Sequence, residues 1–193
     1  MNALIMPPRI QQRYSHWMGL SRGDFNAVYL ARMLASVEQG HSVLSDTLGL
    51  TDDRYQTLIQ RYFPVKNKCF QTRLAEPLGE LDNQGVSNEV IQLTNLLLGY
   101  RAQRSNSEYA LARIIACACG GSDHLWYDLG LWSRDDLNAL LQHNFPDLVK
   151  ANRFNMRWKK FLYRQLCLES NVMMCRSPNC RDCVDYSECF IPG

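Results

Sequence analysis

The sequence predicts an all-α protein: duplicated helix-pair units followed by a long helix and a C-terminal cysteine-rich segment. Three observations carry this. Apolar residues recur at helical spacing along much of the chain. Strand patterns are essentially absent. One stretch also repeats in order, since LARMLA (30–35) returns as LARIIA (111–116), 81 residues later. At that offset Gly40 matches Gly121, Leu44 matches Leu125, and LGL (48–50) matches LGL (129–131). One inserted residue later, Asp53, Leu58, Gln60, Phe63 and Pro64 match Asp135, Leu140, Gln142, Phe145 and Pro146. Agreement of this extent, in order, predicts duplication of one supersecondary unit.

Each copy reads as two helices. FNAVYLARMLASVE (25–38) carries the apolar residues Phe25, Val28, Leu30, Leu34 and Val37 at helical spacing and stops at Gln39-Gly40. A linker with a short apolar turn then ends in LGL. Thr51 takes the N-cap position, Asp52 and Asp53 the first turn, and RYQTLIQRYF runs to Pro64. In the second copy Ser133 is the N-cap before RDDLNALLQHNF and Pro146. Between the copies 65–86 is irregular, and SNEVIQLTNLLLGYRAQ (87–103) reads as one amphipathic helix. The expected organisation is a single α-helical protein: first repeat 22–64, connector 65–104, second repeat 105–146, long basic helix 147–169, cysteine segment 170–193. Residues 1–21 receive no role.

Composition narrows the function classes. With 46% hydrophobic and 21% charged residues over 193 positions, the chain can bury a proper core. A formal net charge of +2 argues against bulk nucleic-acid binding. MNALIMPPRIQQRY has neither a basic lead nor an apolar h-region, and no later segment offers the ~18 uncharged apolar residues of a membrane helix. A cytoplasmic protein is expected, and there clustered cysteines more often bind metal than pair.

The chemistry concentrates at the end of the chain. CRSPNCRDCVDYSECF (175–190) spaces four cysteines as C-x4-C-x2-C-x5-C. Zinc sites usually use two short knuckles separated by a dozen or more residues. Four sulfurs on one folded-back segment better suit a wider iron–sulfur core, with zinc or a redox disulfide as the lesser readings. Pro178 favours turns here, and Arg176 and Arg181 favour thiolates and offset cluster charge.

Three further features point toward this segment. The linkers of the two copies differ where chemistry is possible: Cys119 stands where the first copy has Glu38, and His124 where it has Val43. His124 reads either as a histidine satisfied at a helix terminus or, with Cys119, as a ligand or site-lining group. In the 147–169 helix, Lys150, Arg153, Arg157, Lys160 and Arg164 recur at spacings 3, 4, 3, 4, and Cys167 follows three residues on. Beside them runs an apolar stripe, Ala151, Phe154, Trp158, Phe161 and Leu162, expected to face the core. The basic stripe is either a solvated helix face or, lacking acidic partners, a track for an oxyanion or acidic protein. Cys167 is either a buried thiol or a functional one at the end of that track. Cys117 and Cys69 read as core or incidental thiols, and Trp126-Tyr127-Asp128 as packing.

The stretches ACACGGSDHLWYDLGL, NFPDLVKANRFNMRWKKFLYRQLC and CRSPNCRDCVDYSECF together resemble the NifQ family of nitrogen-fixation proteins. The resemblance covers the C-terminal half, with residues 1–105 matching loosely. It implies an iron–sulfur protein that carries a molybdenum–iron–sulfur cluster and supplies molybdenum for the nitrogenase iron–molybdenum cofactor. By it Cys175, Cys180, Cys183 and Cys189 are the cluster ligands, and Cys119, His124 and Cys167 fall on family motif positions. It further implies a 3Fe-4S or 4Fe-4S cluster convertible to Mo-Fe3-S4, with molybdate as the metal source. The implied partners are NifH and the NifEN scaffold, with neither nucleic acid nor membrane. A cubane with molybdenum at one corner leaves that corner open to N or O donors, a place His124 suits. Two other readings are an iron–sulfur DNA-repair glycosylase and a structural zinc module. The first lacks its Gly-rich interhelical hairpin here, and no nucleophile–base pair suggests enzymatic turnover.

Overall fold

A computed structural model describes residues 6–64 and 83–170, the last two by backbone alone. All regular structure among the described residues is helical. In chain order the helices are α1 (Pro8–Leu20), α2 (Phe25–Val37), α3 (Asp52–Tyr62), α4 (Asn88–Gly99), α5 (Ser107–Ala118), α6 (Leu125–Asp128), α7 (Arg134–Asn144), α8 (Pro146–Ala151) and α9 (Trp158–Ser170).

Local chemistry explains most boundaries. Asp24 caps α2 through Asn26 N–H at 3.0 Å, Ser87 caps α4 through Val90 N–H, and Ser133 caps α7 through Asp136 N–H at 3.1 Å. Thr51 occupies the N-cap of α3, but its hydroxyl does not cap; Asp52 and Asp53 supply the favourable charge. The fully buried Glu108 accepts the backbone N–H groups of Gln103 and Arg104, each at 2.9 Å, which anchors the start of α5. α1 opens on Pro8 and packs Ile10 inward against α2. Its Trp17 donates to Glu38 at 3.1 Å, and Arg13 pairs with the same carboxylate.

Two helix pairs, α2/α3 and α5/α7, embrace each other. α2 packs against α7, and α3 against α5. Phe63 and Phe145 end α3 and α7 in nearly one backbone conformation, φ −137°, ψ 60° and φ −139°, ψ 56°. Each phenylalanine is fully buried ahead of a proline. Gly49 and Gly130, the glycines of the two LGL runs, have φ of +78° and +76°. A Cβ on Gly49 would sit 2.6 Å from Cys117 Sγ, and one on Gly130 would sit 2.7 Å from Ser36 Cβ. Ser36 and Cys117 are equivalent at the 81-residue offset. Each pair thus presses its glycine on the same position of the other. A buried amide pair, Asn26 with Asn144 at 2.8 and 2.9 Å, closes the interface with both amides reciprocally satisfied.

The C-terminal half departs from expectation. The single helix expected over 147–169 is two, α8 and α9, separated by 152–157. Asn152 causes the break: its buried amide donates to Met156 O at 3.0 Å and accepts Met156 N–H at 2.9 Å, closing a loop. Asn155 takes φ +50°, and Arg134 donates to its carbonyl and side-chain oxygens at 3.1 and 2.7 Å. The apolar stripe is broken with it. Trp158, Phe161 and Leu162 are buried, but Ala151 is exposed and Phe154 is 61% exposed. The helix expected over 87–103 ends at Gly99, and 65–82 lies outside the described residues.

Candidate metal centre at the end of α5

α4 and α5 form an antiparallel hairpin, so the C-terminus of α5 lies beside the N-terminus of α4. α9 packs across α4 at this end. Cys119 is the C-cap of α5, and the loop from Gly120 to Asp123 leads to His124, the N-cap position of α6. Glu89, in the first turn of α4, accepts the Tyr163 hydroxyl from α9. Cys167 follows Tyr163 by one helical turn and is half-buried.

The loop closes around a carboxylate. Asp128 is 2% exposed, and its Oδ2 accepts Asp123 N–H at 3.1 Å. The Lys159 ammonium of α9 pairs with that same oxygen and donates to Gly121 O at 2.8 Å. Asp128 O accepts Ser42 Oγ at 2.6 Å and Val43 N–H at 3.2 Å, which ties the site to the first linker. A Cβ on Gly121 would overlap the Asp128 carboxyl group, so glycine is required there by space.

Cys119 is 4% exposed, and burial pushes its thiol up to about 12. The Lys159 ammonium opposes that shift, and the Glu89 and Asp128 carboxylates add to it. His124 is exposed and stacks on Trp126, with 6.5 Å between ring centroids and 12° between planes. Its side chain makes no cap bond to α6. Cys117 faces away, toward Gly49, and burial raises its thiol as well.

The expected site residues are therefore partly gathered. Cys119 and His124 share one loop, and Cys167 lies on the helix that clamps it. Among the described residues, no three His, Cys, Asp or Glu side chains form a group that could hold a metal ion. Cys175, Cys180, Cys183 and Cys189 lie outside the described residues.

The basic stripe is not continuous. Lys150 lies in the last turn of α8 and pairs with Asp147 at 2.8 Å, against the expectation of no acidic partner. Arg153 and Arg157 stand exposed in the intervening segment. Lys160 and Arg164 lie on α9 in register with Cys167, half-buried, with Arg164 Nη1 3.7 Å from Met156 Sδ. The sequence reading missed Lys159, Asp128 and the steric need for Gly121. A signal existed, because Thr47 stands opposite Asp128 at the 81-residue offset.

The sequence profile described as NifQ matches residues 29–191. The chain belongs to the NifQ family. The NifQ match begins far upstream of the C-terminal half that carries the resemblance, and takes in both helix pairs apart from the first turn of α2. It also spans the whole C-x4-C-x2-C-x5-C run. Protein NifQ of Azotobacter vinelandii is 41% identical over 171 residues, covering 86% of this chain and 88% of that protein. Protein NifQ of Klebsiella pneumoniae is 36% identical over 165 residues, 84% of this chain and 96% of the relative. The Protein NifQ homolog of Sinorhizobium fredii (strain NBRC 101917 / NGR234) is 32% identical over 167 residues, 86% and 70%. No solved structure matches the chain. Among the described residues no helix is long and apolar enough to cross a membrane.

Proposed function

We propose that this protein is a cytoplasmic iron–sulfur carrier, not an enzyme, that binds molybdenum as a Mo-Fe-S cluster. In this reading it donates the metal for assembly of the nitrogenase iron–molybdenum cofactor, with NifH and the NifEN scaffold as partners. The observation that supports this best is family membership over a range that includes all four terminal cysteines. Cys175, Cys180, Cys183 and Cys189 hold the iron corners of a 3Fe-4S or 4Fe-4S cluster convertible to Mo-Fe3-S4. Thiolates at that spacing suit such a core.

The described residues have roles in the same reading. His124 offers an exposed imidazole, a nitrogen donor suited to a molybdenum corner. Cys119 lines the site from beneath, and Lys160 and Arg164 draw molybdate, a dianion, toward Cys167. The two helix pairs arise by duplication, and the second copy acquired the metal-facing loop. The reciprocal packing of Gly49 on Cys117 and Gly130 on Ser36 supports that descent.

The test is iron and acid-labile sulfide analysis of anaerobically purified wild type and of four single Cys-to-Ala variants at 175, 180, 183 and 189. Each variant should lose the cluster, because no neighbouring side chain replaces a thiolate. Brown colour that resists chelator in these variants would reject the segment as ligand set.

A further inference from the structure

We propose that Lys159 is the positioning residue of this site: it fixes the Cys119–His124 loop against α9, so that the loop's ligand candidates and Cys167 keep one geometry. The inference rests on the reading that Cys119 and His124 line the metal site. The contacts that Lys159 makes are independent of any metal.

One ammonium joins three parts of the fold. It sits on α9, pairs with Asp128 at the end of α6, and donates to the carbonyl of Gly121 in the loop. Cys167 lies eight residues further along α9, about 12 Å at ~1.5 Å per residue. The loop between Cys119 and His124 runs over five peptide bonds with two glycines, a segment that would sample many conformations if left open. The Asp128 carboxylate removes that freedom by taking Asp123 N–H and filling the space beside Gly121.

Comparison with the first helix pair separates this device from the scaffold. Gly40, equivalent to Gly121, also ends its helix, but nothing lies within 4 Å of where its Cβ would be. Its φ of +72° accounts for the glycine there, whereas Gly121 has no positive φ and is required by the carboxylate. Thr47 stands in place of Asp128, and its hydroxyl bonds only within its own turn, to Leu50 O at 2.8 Å and with Ser45 Oγ at 3.3 Å. The clamp therefore occurs only in the copy that carries Cys119 and His124. Lys159 and Asp128 are 16% and 2% exposed in their side chains. A pair so buried costs desolvation that an apolar pair of similar shape would not, so stability alone is a poor reason for it. A fixed loop geometry is a sufficient one.

The test uses the full-length, metal-free, reduced protein, with alkylation of Cys119 by iodoacetamide followed by peptide mass spectrometry. Lys159→Met with Asp128→Leu removes both charges together and avoids stranding either. Gly121→Ala keeps both charges but expels the carboxylate, which covers the case in which the double variant fails to fold. Each variant, at wild-type helicity, should alkylate Cys119 at least tenfold faster than wild type. Lys159→Arg, which keeps the charge, should stay within about twofold. A buried pair that served stability alone would lower the melting temperature and leave native-state alkylation unchanged, and that result overturns the proposal. Molybdenum content of the reconstituted variants is read separately. Faster alkylation with an unchanged molybdenum-to-iron ratio would uphold the clamp and remove Cys119 and His124 from the metal site.

Discussion

Cys117 Sγ lies 3.8 Å from the carbonyl oxygen of Gly49, in the place where, across the paired helices, Ser36 Oγ donates to Gly130 O at 2.7 Å. The thiol is thus the counterpart of a structural serine. Cys117→Ser should keep the fold and any bound metal. Gly49→Ala combines a positive φ with a Cβ 2.6 Å from that sulfur and should cost roughly 1–3 kcal/mol. Repeating it in a Cys117→Ala background should cost measurably less, since the clash is removed and only the backbone cost remains. Denaturant midpoints of the four proteins check this; strict additivity would contradict the packing.

His143 carries the clearest pH dependence outside the candidate site. It stacks on Phe25 at 4.1 Å, and burial, with the Arg104 guanidinium second, holds its imidazole below its ordinary value of 6.5. A depressed value means that the unfolded chain binds the proton more readily. The stability contribution is present above about pH 6.5 and is lost as pH falls through the folded value. Unfolding free energy of wild type should fall across that window more steeply than that of His143→Gln. Parallel profiles would assign the acid sensitivity elsewhere.

His124 tests the loop. His124→Ala should keep iron and sulfide but lose molybdenum. The exposed Val43, at the same offset in the first linker, gives the control: Val43→His should bind no additional metal, because that linker carries no cysteine. Metal-to-iron ratios decide it, and an unchanged ratio in His124→Ala would leave that histidine as a stacking partner of Trp126.

The helix pairs were legible because their signals are local: Ser133 caps α7, and the LGL turns and the Phe-Pro stops recur 81 and 82 residues apart. The break at Asn152 was not. Residues 147–169 keep helical periodicity straight through it, and only a buried side chain turning back on Met156 ends α8. Periodicity alone therefore placed Phe154 in the core and joined five cations into one stripe. α1 was missed because its apolar face is thin, with Ile10 its one buried residue. The Lys159–Asp128 pair escaped for another reason, since its partners are 31 residues apart and meet only through the packing of α9.

That break sharpens the electrostatic prediction. Charge reversal at Lys160 and Arg164 should slow molybdate loading and flatten its salt dependence, because both stay on α9 with Cys167. Reversal at Arg153, in the exposed segment before α9, should change loading by less than about twofold. The field of exposed charges decays over a Debye length of about 8 Å at physiological ionic strength, so a charge off α9 acts more weakly at Cys167 than those on it. Loading rates against salt for the three proteins are the measurement, and equal slopes would make the α9 cations a solvated face.

The most direct test is of the carrier role itself: iron, acid-labile sulfide and molybdenum content, with EPR spectra, of anaerobically purified protein before and after adding molybdate and reductant. The account predicts an iron–sulfur signal beforehand, and afterwards one tightly held molybdenum per cluster with an altered spectrum. Protein that holds zinc, or an iron–sulfur cluster whose spectrum and molybdenum content molybdate leaves unchanged, would contradict it.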